Sequence, residues 1–163
     1  MTATPDQVDI YTHERAGFAE RLGRLAGRAQ QYEPRAGRGT HGSLPDEHAI
    51  AACLAMARRG PTDIGPDIAA AIYCQSHAHR GRIVGELTAA LAATMRAARK
   101  YPHQLPLIAA QSYLLVLGVD EARRPIGVSA RDFEALVSFG VSILWRAASD
   151  SLRRAESAYY RAA

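Results

Sequence analysis

The residue types best suited to hold a metal ion lie in one short stretch of the chain. Cys74, His77 and His79 form a C-x-x-H-x-H pattern, and Cys53 lies 21 residues before Cys74. Thiolate and imidazole are ligands that zinc prefers. A structural zinc site is normally built from two closely spaced pairs of ligands, however, and Cys53 has no neighbouring ligand. Both cysteines also fall at apolar helix positions, where a free thiol packs as a small hydrophobe. We therefore predict neither a metal site nor a cofactor.

Groups suited to acid–base or nucleophilic catalysis occur together once, at the start of a predicted helix. Asp46 and Glu47 precede His48, and Ser43 lies close by. A serine cap followed by acidic residues is typical of a first helical turn. The chain contains no G-x-S-x-G, no H-E-x-x-H and no glycine-rich phosphate loop. The sequence therefore indicates a protein that is not an enzyme.

Positive charge is the remaining chemical signal. Nineteen of the twenty cationic side chains are arginine, the formal net charge is +4 and the pI is near 9.4. Because the guanidinium fork matches phosphate geometry, this excess favours an anionic partner, nucleic acid first. A GC-rich coding sequence is the competing explanation for the arginine content. The candidate nucleic-acid-binding residues are Arg21, Arg24, Arg28, Arg35, Arg38, Arg80, Arg82, Arg96, Arg99, Lys100, Arg123 and Arg124.

A compact DNA-binding module is less well supported than a composite basic surface. A helix-turn-helix would have to use Gly127 as its turn, which places Pro125 inside the preceding helix at a cost of about 3 kcal/mol. Its second helix would also be far too long for such a module. We therefore expect the listed cations to converge from several elements.

Helical periodicity organises the elements that must position these side chains. Residues 33–43 are rich in glycine and contain no large apolar side chain, which is typical of a linker. We therefore assign residues 1–42 to an N-terminal helical arm with a basic linker, and residues 43–163 to a helical bundle domain. The predicted fold is all-α, a five- to six-helix orthogonal bundle with a long C-terminal helix. The predicted bundle helices cover about 43–59, 66–75, 82–100, 106–117 and 129–160, and a short hairpin between 116–117 and 126–128 is an alternative for one connection.

The C-terminal helix is the element around which the others are expected to pack. Its apolar and small residues recur at alternating four- and three-residue steps, which is the seam of a helix that packs along its length. The second half of the seam consists of small residues (Ala147, Ser151, Ala155 and Ala158). Small residues allow helices to approach closely, so this half is a candidate for self-association as well as for packing within the chain.

The middle of the chain resembles a known family. The segments HAIAACLAMARRG, IAAAIYCQSH, VGELTAALAATMRAARKY and LIAAQSYLLVLG are similar to the helical body of phage late-gene antitermination proteins of the lambda Q type. The resemblance covers residues 46–155 and implies binding to promoter-proximal DNA and to paused RNA polymerase. In that family a four-cysteine zinc module follows the body, whereas here VDEARRPIGV takes its place. No site residue of the family carries over to a position of this chain.

Taken together, these observations predict a DNA-binding transcription regulator, in the more specific form a phage antitermination factor that acts on RNA polymerase. The alternative is a non-enzymatic helical interaction or structural protein, such as a phage adaptor or inhibitor, that forms a homo-oligomer through its C-terminal helix. The chain opens without a basic and apolar leader, and no apolar run approaches 18 residues. We therefore expect a cytoplasmic protein that has no membrane partner.

Overall fold

The computed structural model describes residues 52–119 and 122–162, and in this part of the chain every regular element is a helix. A helical segment over 52–56 is followed by α1 (Gly65–Cys74), α2 (Arg80–Thr94), a 3₁₀ helix (Arg96–Lys100), α3 (Leu105–Val116) and α4 (Ala130–Ala162). The all-α prediction and the predicted long C-terminal helix are confirmed. The orthogonal arrangement of the helices stays a prediction, and so does the N-terminal arm, which lies outside the described residues.

The 33-residue helix α4 is the element that the others pack against. A cap fixes its start, because the Ser129 hydroxyl accepts the N–H of Asp132 at 3.1 Å. The phenol of Tyr101 donates to Asp132 Oδ2 at 2.7 Å and ties the 3₁₀ helix to the same turn. From this start α4 buries a stripe that recurs at steps of three and four along its length: Phe133, Leu136, Val137, Gly140, Leu144, Ala148, Ser151 and Ala155.

The first half of α4 packs closely against α3. Ile108, Ser112 and Tyr113 of α3 are almost completely buried. A Cβ atom added to Gly140 would lie 2.9 Å from the Cβ of Ser112 and 2.5 Å from its hydroxyl oxygen. The Ser112 hydroxyl itself donates to the carbonyls of Ile108 and Val137, so a polar group in this interface is satisfied. The two helices therefore approach as closely as they do because Gly140 has no side chain.

The second half of α4 packs against α1 of the same chain. A Cβ on Gly65 would lie 2.6 Å from the carbonyl oxygen of Ala147 and 3.0 Å from the Cβ of Ser151. Ala148, Ser151 and Ala155 are buried in this contact region. The small residues that the sequence offered for self-association are therefore largely covered within the chain.

Two connections differ from the sequence-based prediction. The helix predicted over 82–100 ends at Thr94, where Met95 takes an extended conformation and a 3₁₀ helix follows. This change of direction buries Ala98 and carries Tyr101 to the start of α4. The predicted hairpin is also wrong for the residues described, since Val116 belongs to α3 and the N–H of Val128 closes a turn on Pro125 with Gly127 at φ +86°.

Among the described helices, none is at once long and apolar enough to cross a membrane.

Candidate anion-binding groove

Five arginines line a groove between residues 56–59 and the C-terminal half of α4. In α4 the residues Arg153, Ser157 and Arg161 follow one another at four-residue steps, which places them on one side of the helix. The groove has a volume of about 680 Å³ and is lined by Met56, Ala57, Arg58, Arg59, Asp150, Arg153, Arg154, Ser157, Ala158 and Arg161. We call Arg58, Arg59, Arg153, Arg154 and Arg161 the groove cluster.

A buried carboxylate fixes the first wall of the groove. The side chain of Asp67 in α1 is 3% exposed, and its two oxygens accept hydrogen bonds from the Nη2 and Nη1 atoms of Arg58 at 2.6 and 3.0 Å. Arg82 of α2 adds a third ionic contact to Asp67 at 3.0 Å. Arg58 also donates to the carbonyl oxygen of Asp63 at 2.7 Å, and the hydrogen bonds to Asp67 raise the pKa of Arg58. The fork–fork geometry leaves Arg58 little freedom to rotate.

A second carboxylate, Asp63, fixes the opposite wall. Arg154 of α4 donates from Nη2 to Asp63 Oδ2 and from Nε to the carbonyl oxygen of Ala57, both at 2.9 Å. Asp63 also accepts the backbone N–H groups of Arg59 and Gly65 at 2.8 and 3.0 Å. Burial by itself would raise the pKa of Asp63, but these N–H donors and the guanidinium groups of Arg154 and Arg58 outweigh it and lower the pKa. The carboxylate is therefore held charged, and it keeps Arg154 in place.

The remaining three arginines present charge to the open side of the groove. Arg153 pairs with Asp150 one turn earlier on α4, and Arg161 donates to the carbonyl oxygen of Ser157 at 2.9 Å. The guanidinium of Arg59 has no hydrogen bond or ion pair with any described residue. The groove lining therefore contains five guanidinium groups and one carboxylate, whereas Asp63 and Asp67 are not part of the lining.

This arrangement suits the binding of an anion. Guanidinium groups whose own geometry is fixed lose little side-chain entropy when they bind phosphate or carboxylate oxygens. The groove lining includes no histidine, cysteine or aromatic side chain, so it offers no aromatic surface on which a nucleic-acid base could stack.

The residues weighed as metal ligands do not form a ligand set in the described part of the chain. Cys53 is a buried thiol and Cys74 a half-buried one, and burial raises the pKa of Cys74. His77 contacts the Tyr113 hydroxyl at 3.3 Å through Nδ1, and His79 lies 3.9 Å from Asp67 at the edge of the ion-pair network. These side chains therefore have separate surroundings.

The structure distributes the candidate nucleic-acid-binding residues over several places. Arg21, Arg24, Arg28, Arg35 and Arg38 lie outside the described residues. Arg82 is held by Asp67 and by the Pro61 carbonyl beside the groove, while Arg80 is exposed at the start of α2. The other five are exposed in the 3₁₀ helix (Arg96, Arg99 and Lys100) and in the loop before α4 (Arg123 and Arg124), and we call them the cap cluster.

Contacts at the start of α4 show why the cap cluster forms. Lys100 lies 3.3 Å from the carboxylate of Asp132, and Arg124 donates to the carbonyl oxygen of Val128 at 3.1 Å. The backbone N–H of Arg123 donates to the Gln111 side chain at 3.0 Å. Lys100 of the 3₁₀ helix and Arg124 of the loop are therefore both held next to the start of α4.

Sequence reasoning missed the groove cluster. Arg146, Asp150 and Arg154 follow one another at four-residue steps, a spacing that indicates ion pairs on a solvated helix face, whereas in the structure Asp150 pairs with Arg153 and Arg154 reaches Asp63 across 91 residues of sequence. The available signal was the pair of Arg-Arg dipeptides at 58–59 and 153–154. Nothing in the sequence shows that these two dipeptides meet.

Comparison of the chain with protein-family models, with curated proteins and with solved structures finds no match.

Proposed function

We propose that this protein is a non-enzymatic DNA-binding regulator whose groove cluster holds backbone phosphates. The observation that carries the proposal is the groove itself, in which five guanidinium groups line a space of about 680 Å³ with one carboxylate. Buried or half-buried carboxylates fix two of these guanidinium groups from behind. Such preset cations suit the repeated phosphate groups of a nucleic acid.

The charge of the described residues supports the same partner. Residues 52–119 and 122–162 contain fourteen Lys and Arg but seven Asp and Glu, so this part carries a formal charge of +7. Three of the seven carboxylates, Asp63, Asp67 and Asp150, are engaged by arginines at or behind the groove. The net positive charge of the described residues therefore attracts a polyanion.

The resemblance to lambda Q-type antitermination proteins gives the proposal its more specific form. In that form the protein is a cytoplasmic phage factor that binds DNA near a promoter and acts on RNA polymerase. The predicted orthogonal bundle with an N-terminal arm belongs to the same proposal, with the arm extending the basic surface through Arg21, Arg24, Arg28, Arg35 and Arg38.

A salt titration of DNA binding tests the proposal. We expect duplex DNA to bind at low salt, with an affinity that falls steeply as salt rises, because each phosphate contact contributes about 0.9 to the slope of log K against log salt. Arg59→Ala should lower that slope by about one unit. Arg80→Ala is the matched control, because Arg80 is exposed at the start of α2 and lies outside both α4 and the groove lining.

Two results would overturn the proposal. Absence of DNA binding at low salt would remove the nucleic-acid partner altogether. An equal loss of slope in Arg59→Ala and Arg80→Ala would show that only overall charge matters and that the groove is not the binding site.

A homo-oligomeric interaction protein is the second candidate, and one observation favours it. Phe139 and Trp145 on the outer side of α4 are 39% and 41% exposed, and residues 135–145 contain no charged side chain. An uncharged face with exposed aromatic side chains is suited to pairing with a second copy. Light scattering of the wild type and of Trp145→Ser tests this. A wild-type dimer that Trp145→Ser converts to a monomer supports the second candidate, and a monomeric wild type excludes it.

A further inference from the structure

The two cationic clusters lie near opposite ends of α4, and their placement along that helix predicts how a DNA duplex would bind. Lys100 of the cap cluster contacts Asp132, in the first turn of α4. The groove cluster is built around Arg153, Ser157 and Arg161 near its end. One continuous helix joins the two positions, so their separation and relative direction are fixed.

Helical periodicity places the two clusters on the same side of α4. Asp150, at the start of the groove, lies 18 residues after Asp132, which is five full turns at about 3.6 residues per turn. Arg161 lies 29 residues after Asp132, which is about eight full turns. Asp132, Asp150 and Arg161 therefore project in nearly the same direction from the helix axis.

The distance between the clusters matches the repeat of a DNA duplex. Ser157, at the middle of the groove lining on α4, lies 25 residues after Asp132, which corresponds to about 37 Å along the helix. One turn of B-form DNA spans about 34–36 Å, so phosphates of one strand face the same direction at that interval. A straight rod with cations at both positions therefore meets the backbone twice on one side of a duplex.

The carboxylates on this side of α4 do not oppose such binding. Asp132 is paired with Lys100 and accepts the Tyr101 hydroxyl, and Asp150 is paired with Arg153. Each cluster therefore keeps an excess of positive charge. The groove also lacks an aromatic side chain for stacking bases, which favours contacts to the backbone over contacts to the bases of a single strand.

We infer that α4 lies along a DNA duplex and that the groove cluster and the cap cluster bind phosphates one helical turn apart. This inference rests on the proposed function and adds the binding mode. The cap cluster is thereby a second binding site, and a duplex must exceed one turn to occupy both.

Fluorescence anisotropy with duplexes of two lengths tests the inference. A duplex of about 8 base pairs reaches one cluster, whereas one of about 16 base pairs reaches both. The salt slope for the longer duplex should exceed that for the shorter one by about 2 to 4 units, since the second cluster adds several phosphate contacts. The slope is the chosen measure because the larger number of binding registers on a longer duplex raises affinity without changing the slope.

Variants of each cluster identify the source of the difference. The side chains of Arg96, Arg99 and Arg123 are exposed and make no hydrogen bond within the described part of the chain, so their triple replacement by alanine should leave the fold intact. In this variant the difference in slope between the longer and the shorter duplex should fall by more than half, because three of the five cations of the cap cluster are removed. Far-UV circular dichroism of the variant checks that helix content is preserved.

The outcomes separate the inference from the proposed function. Failure of every duplex to bind at low salt removes the proposed function itself. Three outcomes overturn the two-site mode while leaving DNA binding in place. The salt slopes are equal for both duplex lengths, the triple variant keeps the full difference in slope between them, or a single strand gives the same slope as the long duplex.

Discussion

Replacing Gly140 with alanine tests the close packing of α3 and α4 on which the described body depends. An added Cβ would lie 2.9 Å from the Cβ of Ser112, and both atoms are attached directly to helix backbones. No rotation of a side chain relieves a contact between two Cβ atoms, so α3 and α4 would have to separate. Gly85, in the interior of α2, is the matched control because an added Cβ there meets no atom within 4 Å.

The two substitutions are expected to differ in their effect on the free energy of unfolding. Glycine to alanine in a helix interior stabilises by about 1 kcal/mol, and this gain is common to both positions. At Gly140 the overlap adds a cost of about 1–3 kcal/mol, the usual range for an overpacked core. Gly85→Ala should therefore raise the free energy of unfolding by about 1 kcal/mol. The free energy of unfolding of Gly140→Ala should be about 1–3 kcal/mol lower than that of Gly85→Ala.

Urea unfolding followed by far-UV circular dichroism measures this difference directly. Adding Ser112→Ala to Gly140→Ala removes the 2.5 Å contact with the hydroxyl oxygen but keeps the contact between the Cβ atoms. The double variant should therefore recover only part of the loss, with a coupling energy of at least about 0.5 kcal/mol. If Gly140→Ala stabilises the protein as much as Gly85→Ala does, the close approach of α3 and α4 is refuted.

Three further predictions follow from the polar groups. Asp67→Asn should lower the free energy of unfolding by about 2–3 kcal/mol, because Arg58 and Arg82 lose the buried carboxylate that pairs with both of them. Asp150→Asn on the exposed helix face should cost less than about 0.5 kcal/mol, and equal urea midpoints for the two variants would contradict the burial argument. Folding lowers the pKa of Asp63, so the charged carboxylate stabilises the folded protein above the unfolded pKa of about 3.9. This stabilisation is lost as the pH falls through the folded pKa. The free energy of unfolding of Asp63→Asn should therefore depend less on pH below about pH 4 than that of the wild type. Because burial raises the pKa of Cys74, that thiol should react slowly with a thiol reagent in the folded protein and quickly in urea, as mass spectrometry of the labelled peptide would show; fast labelling of the folded protein would exclude the buried placement.

Patterns within one helix predicted much of the fold. The three- and four-residue steps along residues 129–160 predicted the length of α4 and part of the stripe that it buries: Ser151 and Ala155 are buried, whereas Ala147 and Ala158 are half-buried. The helix predicted over 106–117 is likewise observed, as α3. These predictions succeed because helix formation and amphipathicity are set by neighbours three and four residues apart.

Connections and long-range ion pairs were predicted poorly. The bend after Thr94 forms because Ala98 and Tyr101 find partners on α4, which local propensity does not encode. In the same way, the intrahelical spacing of Asp150 and Arg154 suggested a pair that the structure replaces by Arg154 with Asp63. Packing can bring a residue that is distant in sequence close enough to form an ion pair in place of a sequence neighbour. The sequence alone does not show which of the two partners is used.

The sequence by itself determined the helical secondary structure of the described residues, the long final helix, the strong preference for arginine and the absence of the catalytic motifs named above. Only the tertiary structure decided which arginines share a surface, because the groove joins residues 58–59 to residues 153–161 through contacts with Asp63 and Asp67. The physical reason is the range of the two kinds of interaction. Helix periodicity follows from backbone geometry over a few residues, whereas electrostatic fields depend on where distant segments are placed by the packing of the core.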